Sequence, residues 1–198
     1  MVRLYLVRHG ETVDAGSGLI TGQRDIDLSP EGKNQVEHLA MKLREVYLDG
    51  IYGSDLIRSI KSAEAIASGR RLKPAFFREL REIGFGRWEG LSFRDVMESY
   101  PGALEERAHD LVHFCPPGGE SIKGLRERVI HKLRELLDRH SDGAICIAGH
   151  GAVNRVILID ALGMDLRNFY RIEQDFGCLN IVDYFPDGGI VVRLINGK

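Results

Sequence analysis

The chain has 198 residues, of which 43% are hydrophobic and 28% are charged. These proportions are typical of a globular protein and exclude a disordered or fibrous chain, and the length fits a single domain. The formal net charge of −2 argues against general nucleic-acid binding, and no apolar stretch is long enough to span a membrane. The three cysteines form neither an even set nor a close pair, and the apolar run near the N-terminus is too short for a secretory signal. We therefore expect a cytoplasmic protein.

Strand and helix signals alternate along the first half of the chain. Short apolar runs that end in glycine predict buried strands, and apolar residues at helical spacing predict helices. Ser29 followed by Pro30 is typical of a helix start, since serine accepts a hydrogen bond at the N-cap and proline fits the first turn. In chain order, the signals predict a strand at residues 4–7, a loop at 11–28, a helix from Pro30, a strand at 50–53, a helix capped by Ser54 or Asp55, and a strand at 73–77.

The second half begins with a less regular segment, residues 78–120, which is rich in glycine and proline. We expect this segment to be an insertion that caps one end of the sheet, with short helices at about 92–99 and within 103–113. The remaining signals predict a helix from Ser121, a buried strand at 144–148, a helix at 152–162 and a β-hairpin at 178–195. The order predicts one α/β domain, a three-layer sandwich in which helices flank a mainly parallel sheet with an antiparallel hairpin at its edge.

Two of the predicted buried strands end in a His-Gly pair, at His9 and His150. Because open α/β sheets bind ligands at the carboxyl ends of their strands, we expect both histidines in one crevice. Arg8 precedes His9, and Arg58 lies in the first turn of the helix that follows the strand at 50–53. Guanidinium groups match the geometry of phosphate oxygens. Each residue taken singly is more often structural, but their combination predicts a site for a phosphoryl group.

Four segments resemble, in order, the motifs of the histidine phosphatase superfamily, also called the phosphoglycerate mutase-like family. They are LVRHGET at 6–12, SDLIRSIKSA at 54–63, LREIGFGRWEG at 80–90 and AGHG at 148–151. The resemblance extends from residue 3 to about residue 184. It implies that His9 is the nucleophile and forms a phosphohistidine, while Arg8, Arg58 and His150 hold the phosphoryl oxygens. A bound dianion would favour the imidazolium form of His150.

The resemblance also implies an acidic proton donor, Glu82, which would protonate the leaving alkoxide and then take a proton from water. Glu79 and Glu89 lie close to it in the sequence. The residues by themselves do not choose among the three carboxylates. The assignment of Glu82 therefore depends on the resemblance, with Glu89 as the alternative.

A loop and one glycine complete the implied substrate site. Thr21, Gly22 and Gln23 resemble the family's loop that touches the substrate phosphate, and Gly151 borders His150. The chain departs from the family pattern at Ala15, where relatives often carry asparagine. Hydrogen bonding on this side of the pocket, and with it the identity of the leaving group, is therefore left open.

The reaction has alternatives within and beyond the family. Mutases carry an added basic insertion after the proton-donor segment, whereas residues 90–99 have little positive charge, which favours hydrolysis. A phosphoglycerate mutase stays open if nearby arginines replace that insertion, and so does a non-catalytic module that binds a phosphorylated partner. The WEGL segment at 88–91 and the segment at 116–121 resemble α-ribazole phosphatases, which act late in cobalamin assembly, and also resemble broad-specificity and fructose-2,6-bisphosphatase types.

No cofactor or metal is implied, since histidine and arginine supply the electrostatic stabilisation. His109 and His113 would share one helix face at a spacing that can bind zinc, but no third ligand is evident. The expected partner is a small phosphate ester, and a homodimer is left open. Glycine is abundant, with 23 residues, and we expect much of this excess to provide backbone space around the phosphate.

Overall fold

The computed structural model describes all 198 residues and contains one six-stranded sheet. The strands are β1 (Val2–Arg8), β2 (Gly50–Gly53), β3 (Ala75–Phe76), β4 (Gly143–Gly149), β5 (Leu179–Tyr184) and β6 (Ile190–Gly197). The helices are α1 (Pro30–Leu43), α2 (Ile57–Ala67), α3 (Phe93–Ser99), α4 (Ala103–His109), α5 (Ile122–Asp138) and α6 (Gly151–Ala161). None of these helices combines the length and apolar character that a membrane crossing requires.

The strand order across the sheet is β3-β2-β4-β1-β5-β6. The first four strands in this order run parallel to one another, and β5 and β6 form a hairpin at the other edge in which β5 is antiparallel to both β1 and β6. The predicted α/β architecture with an antiparallel edge is confirmed.

Alternating side chains of the central strands supply a core on each face of the sheet. On one face, Leu4, Leu6, Ile145 and Ile147 pack with the apolar faces of α5 and α6. On the opposite face, Val7, Cys146 and Ala148 pack with α1 and α2. The two central strands are therefore covered on both sides, which explains why their sequences are nearly continuous apolar runs. The result is the predicted three-layer arrangement.

The strand register decides which side chains meet at the carboxyl end of the sheet. Arg8 pairs with Gly149 across β1 and β4, so the next residues, His9 and His150, leave the sheet side by side. Gly53 pairs with Ala148 across β2 and β4, which brings the segment after β2 to the same edge.

Residues 78–120 run past this edge. The segment contains 3₁₀ turns at Arg78–Leu80 and Gly86–Trp88, followed by α3 and α4. Trp88 is fully buried in a small cluster with Ile20 and Val96, apart from the two main cores. The segment thus has apolar packing of its own while its first residues reach the carboxyl end of β4, where Glu82 accepts a hydrogen bond from the Ala152 amide.

The structure corrects two predictions about helix ends. Neither Ser54 nor Asp55 caps α2. The Ser54 hydroxyl bonds His150, and the Asp55 carboxylate pairs with Arg81, so Asp25 from the preceding loop accepts the Ile57 amide instead, at 2.7 Å.

The second correction concerns the His109–His113 pair. The two side chains do not share a helix face, because α4 ends at His109 and Asp110 occupies the C-cap position. The His113 ring bonds the Asp110 carboxylate at 2.9 Å.

The glycine beside His9 has a packing role that differs from the expected one. A Cβ atom on Gly10 would collide with the carbonyl group of Gly32 in α1, and a Cβ atom on Gly32 would collide with the backbone of Glu11. Both glycines therefore allow α1 to pack closely against the chain that leaves β1. At this position, close approach of two backbone segments explains the glycine, and space for a phosphate does not.

Candidate active site

A cavity of about 200 Å³ opens at the carboxyl ends of β1 and β4. Arg8, His9, Arg58 and Glu82 all line it. The remaining walls come from the loop at 12–22, the start of α6 and aromatic residues. Four of the five residues predicted to carry the chemistry therefore face one small cavity, and the fifth, His150, lies directly behind it.

His9 is only 4% exposed, and its ring is oriented by a backbone contact. The His9 Nδ1 atom lies 2.7 Å from the Gly10 carbonyl oxygen, which can only accept, so Nδ1 donates and Nε2 keeps a free lone pair. Burial, together with the nearby positive charges of Arg8 and Arg58, holds the pKa of His9 well below its ordinary value. The ring is therefore a neutral imidazole with an available nitrogen nucleophile.

His150 is fully buried, and its ring centroid lies 5.1 Å from that of His9 in an edge-on arrangement. Its Nε2 atom is 2.7 Å from the Ser54 hydroxyl, whereas its buried Nδ1 atom has no hydrogen-bond partner in the protein. Burial and the charge of Arg58 lower the pKa of His150 well below its ordinary value. The surrounding protein groups therefore favour the neutral form of this histidine, and the imidazolium form expected from the sequence would require a bound dianion.

The two lowered pKa values predict how stability depends on pH. Below about pH 6.5 the unfolded chain binds protons at both histidines while the ligand-free fold does not, so the free energy of unfolding should fall as pH falls. Each histidine should lower the free energy of unfolding by up to about 1.4 kcal/mol per pH unit, until the pH is low enough to protonate it in the folded protein. Urea unfolding between pH 6.5 and 5 measures this slope.

Two single variants serve as the comparison for this slope. His150→Gln should lower the slope, whereas the same change at the exposed His38 should leave it unaltered. A His150→Gln variant with the wild-type slope would contradict the assignment.

Arg8 is fixed over an aromatic ring at the edge of the cavity. Its Nη1 atom donates to the Gln174 carbonyl oxygen at 2.5 Å, and its guanidinium carbon lies 3.9 Å from the centroid of the Phe176 ring. Its buried Nε atom has no partner in the protein. Arg8 therefore holds an unused donor beside His9.

Arg58 is 1% exposed and forms no ion pair. It donates to the carbonyl oxygens of Gly22 at 2.8 Å and Arg24 at 2.7 Å. These bonds tie the loop at 21–24 to the cavity floor and fix the guanidinium plane. The charge of Arg58 thus lies in the cavity without an anionic partner from the protein.

The structure distinguishes the three candidate carboxylates. Glu82 lines the cavity, where its Oε1 atom accepts from the amides of Ile83 at 2.8 Å and Ala152 at 3.1 Å. The Glu89 carboxylate instead accepts hydrogen bonds from the backbone amides of Gln23 and Phe85, and it thereby connects two loops. The Oε1 atom of Glu79 lies 3.7 Å from the Nζ atom of Lys132. Of the three, Glu82 is the carboxylate that faces the cavity together with His9.

The predicted substrate loop is divided between two surroundings. Thr21 and Gly22 line the cavity, as does Gly151. Gln23 does not: its amide donates to Glu89, and its side chain donates to the Glu82 carbonyl at 3.0 Å. The φ of +53° at Gly22 turns the chain at this point and directs Gln23 away from the cavity. Gln23 supports the backbone of the candidate proton donor and does not face the ligand.

Sequence reasoning missed several cavity residues. Arg155 lines the wall one helical turn after Gly151, and a search of early helix turns, the signal that found Arg58, would have found it too. The aromatic wall residues follow no motif, and they are Phe85, Phe169, Tyr170 and Phe176. Thr12 and Thr21 both donate to Asp14, at 2.7 and 3.1 Å, beside the exposed Ala15 at the position where asparagine was expected.

No group of three or more histidine, cysteine, aspartate or glutamate side chains is arranged to hold a metal ion. The charges that face the cavity are those of the arginines and Glu82. The arrangement can bind a compact dianion, present a neutral imidazole nitrogen to it and exchange a proton through a carboxyl group.

Comparison with known proteins assigns this arrangement to a family. The sequence model of the histidine phosphatase superfamily (branch 1) matches residues 4–197. Phosphoserine phosphatase 1 of Hydrogenobacter thermophilus is 34% identical over 194 residues, which cover 98% of this chain and 92% of that protein. The adenosylcobalamin/α-ribazole phosphatase of Escherichia coli is 29% identical over 182 residues, covering 92% and 90% of the two chains.

A solved structure supports the same assignment. The crystal structure of the α-ribazole phosphatase from Shigella flexneri superposes with a TM-score of 0.92 at 28% identity, over 98% of this chain and 96% of that one. The order of the four sequence motifs, the sheet topology and the similarity to known phosphatases all indicate the same family. The chain therefore belongs to the histidine phosphatase superfamily (branch 1) and is a phosphatase.

Proposed function

We propose that the protein hydrolyses phosphomonoesters in two steps through a phosphohistidine at His9. The observation that carries the proposal is a pair of buried donors without protein partners, Arg8 Nε and His150 Nδ1, beside the neutral ring of His9. Buried donors are rarely left unpaired, so an acceptor-rich ligand such as a phosphoryl group is the natural partner. Acid quenching of a reaction and assay of released phosphate tests the hydrolysis.

In the first step, His9 Nε2 attacks phosphorus and the bond from phosphorus to the ester oxygen breaks. Glu82 gives its proton to the leaving oxygen, so the product is a neutral alcohol. The Nδ1–H bond to the Gly10 carbonyl supports the positive charge that develops on the His9 ring. In the second step, water attacks the phosphohistidine, Glu82 takes a proton from that water, and the phosphorus–nitrogen bond breaks to release phosphate.

Hydrogen-bond donors that are already in position would stabilise the negative charge that develops on the phosphoryl oxygens. Arg8 and Arg58 are held by carbonyl oxygens of the protein and need little rearrangement when a phosphate binds. His150 would donate its free Nδ1–H to the same oxygens. Prearranged donors of this kind stabilise a transition state more than flexible ones do.

The tautomer of His150 depends on Ser54 in this scheme. The Ser54 hydroxyl accepts weakly from the Leu56 amide, at 3.3 Å, so its own hydrogen can go to His150 Nε2 and leave the ring hydrogen on Nδ1. Ser54→Ala should lower kcat by about 10-fold, the effect of losing roughly one hydrogen bond. The Nδ1-protonated fraction of His150, read from ¹⁵N chemical shifts, should fall at the same time. An unchanged tautomer with unchanged kcat would contradict this role.

Two relatives support two different natural esters. α-Ribazole 5′-phosphate is supported by the structural match to an α-ribazole phosphatase, and O-phosphoserine is supported by the relative with 34% identity. Measuring kcat/KM for phosphate release from these two esters and from fructose 2,6-bisphosphate ranks the three candidate substrates. Incubation with 3-phosphoglycerate and a trace of the 2,3-bisphosphate should yield free phosphate, whereas formation of the isomer would indicate a mutase.

The cysteines support a cytoplasmic site for this reaction. All three are free thiols, two of them buried, which suits a reducing compartment. Fractionation of the source cells should place the activity in the cytoplasmic extract.

A further inference from the structure

We propose that Arg155 binds an acidic group on the alcohol part of the substrate, so that the preferred substrates are small phosphomonoesters carrying a carboxylate. This inference rests on the proposed function, because it assumes that the phosphoryl group lies against His9. It assigns a specificity role to a cavity residue that the reaction scheme leaves unused.

The position of Arg155 puts its charge beside the phosphoryl site, with Gly151 between the two. A Cβ atom built on Gly151 would lie 3.5 Å from Arg155 Nη1 and 3.5 Å from Arg8 Nε. The guanidinium groups of Arg8 and Arg155 therefore flank the same glycine. Both arginines line the same cavity, so Arg155 is within reach of the alcohol part of a ligand whose phosphoryl group contacts Arg8.

The Nε atom of Arg155 is held by a hydrogen bond, whereas its two terminal nitrogens are free. Its Nε atom donates to the Ile172 carbonyl oxygen at 2.8 Å, and its guanidinium carbon lies 5.6 Å from the Phe169 ring centroid and 5.8 Å from the Tyr170 ring centroid. Neither terminal nitrogen has a hydrogen-bond partner in the protein, and no carboxylate forms an ion pair with the group. A half-buried guanidinium held in this way offers two parallel donors, the geometry that a carboxylate accepts.

The charge balance of the cavity favours a second anionic group. Arg8 and Arg58 together match a phosphate dianion, and no carboxylate of the protein lies within ion-pair distance of Arg155. Arg155 then remains as an unmatched positive charge. A carboxylate on the substrate would neutralise it, whereas an uncharged alcohol part would leave it unpaired in a partly desolvated wall.

The size of the cavity is consistent with this class of ester. Its volume of about 200 Å³ holds a phosphoryl group with a short carbon chain. Phe176 lies beside Arg8 in this cavity, and Phe169 lies beside Arg155.

The test uses pairs of esters that differ mainly in the acidic group. O-Phosphoserine and O-phosphoethanolamine form one pair, and 3-phosphoglycerate and glycerol 3-phosphate form the other. The wild-type protein should show a higher kcat/KM for the carboxylated member of each pair. Arg155→Met should lower kcat/KM about 10- to 100-fold for the carboxylated esters, as expected for a charge-assisted hydrogen-bonded pair, with little change for their partners. Arg155→Lys should restore part of the loss.

Arg171→Met is the matched control, since Arg171 is an exposed arginine of the same region that does not line the cavity. It should not change the preference. The assignment of Arg155 would be overturned if Arg155→Met lowered kcat/KM equally for both members of a pair, or for neither member. A wild-type protein that does not prefer the carboxylated esters would also overturn it.

A separate readout keeps this result distinct from the proposed function. Formation of phosphohistidine from p-nitrophenyl phosphate reports on transfer to His9 and does not require a carboxylate, so the label on His9 should still be detected in Arg155→Met. If this label is absent in the wild-type protein, the proposed mechanism fails whatever the ester preference shows.

Discussion

His9→Ala is expected to lose turnover by about 10⁴-fold or more on every phosphate ester, because no other group in the cavity can form the covalent intermediate. Nε2 of His9 is the ring nitrogen that is not engaged by the backbone, and burial with the charges of Arg8 and Arg58 lowers the pKa of the ring and keeps it neutral. The measurement is phosphate release under saturating ester.

The control for this variant is its fold. His9→Ala removes a buried ring, so circular dichroism and binding of inorganic phosphate should show that the cavity is still formed. His38→Ala, an exposed histidine on α1, should keep wild-type turnover. A folded His9→Ala protein with full activity would contradict the mechanism.

Glu82→Gln is expected to have the second largest effect, and the size should depend on the leaving group. For an alkyl ester, loss of the proton donor should lower kcat by about 10²- to 10⁴-fold. For p-nitrophenyl phosphate the loss should be much smaller, because the nitrophenolate leaves without a proton. The amide replacement keeps the shape of the side chain, and its oxygen can still accept from the Ala152 amide.

The neighbouring carboxylates provide the comparison for Glu82. Glu79→Gln should have little effect, since its carboxylate lies near Lys132 outside the cavity. Glu89→Gln should act through the loops that its carboxylate joins and should affect both kinds of ester alike. Equal losses on both esters in Glu82→Gln, together with leaving-group dependence in Glu89→Gln, would assign the donor to Glu89 instead.

The parts of the fold that follow local rules could be predicted from the sequence. Ser29 caps α1 by accepting the Gly32 amide, and Ser121 caps α5 by accepting the Gly124 amide, as the N-cap signals indicate. The two His-Gly pairs meet because both follow buried parallel strands, and the register of β1 with β4 places them level.

Contacts between segments distant in the chain were not predictable in this way. Asp25 caps α2 from a loop 32 residues earlier, and the Ser54 hydroxyl bonds His150, which follows a different strand. No local pattern carries such information. The same holds for Gln23, which is adjacent to two cavity residues in the sequence but is turned away by the backbone conformation of Gly22.

The unpredicted part of the cavity is the wall opposite the proposed phosphoryl site. The phosphoryl side is built from residues at strand ends and first helix turns, where the sequence is informative. The opposite wall comes from the 3₁₀ turn at Leu166–Arg171 and the following loop, which share no periodic signal. In the proposed scheme this wall contributes to specificity, and the folded chain is needed to show that Phe169, Tyr170 and Phe176 line the same cavity.

Trapping the covalent intermediate decides whether His9 is the nucleophile. The protein is mixed rapidly with p-nitrophenyl phosphate, quenched in alkaline denaturant and digested, and the peptides are analysed by mass spectrometry under conditions that preserve phosphohistidine. We expect one phosphoryl group on the peptide that contains His9, stable to base, labile to acid and absent from His9→Ala. Turnover with no covalent phosphate, or with the phosphate on another residue, would contradict this assignment.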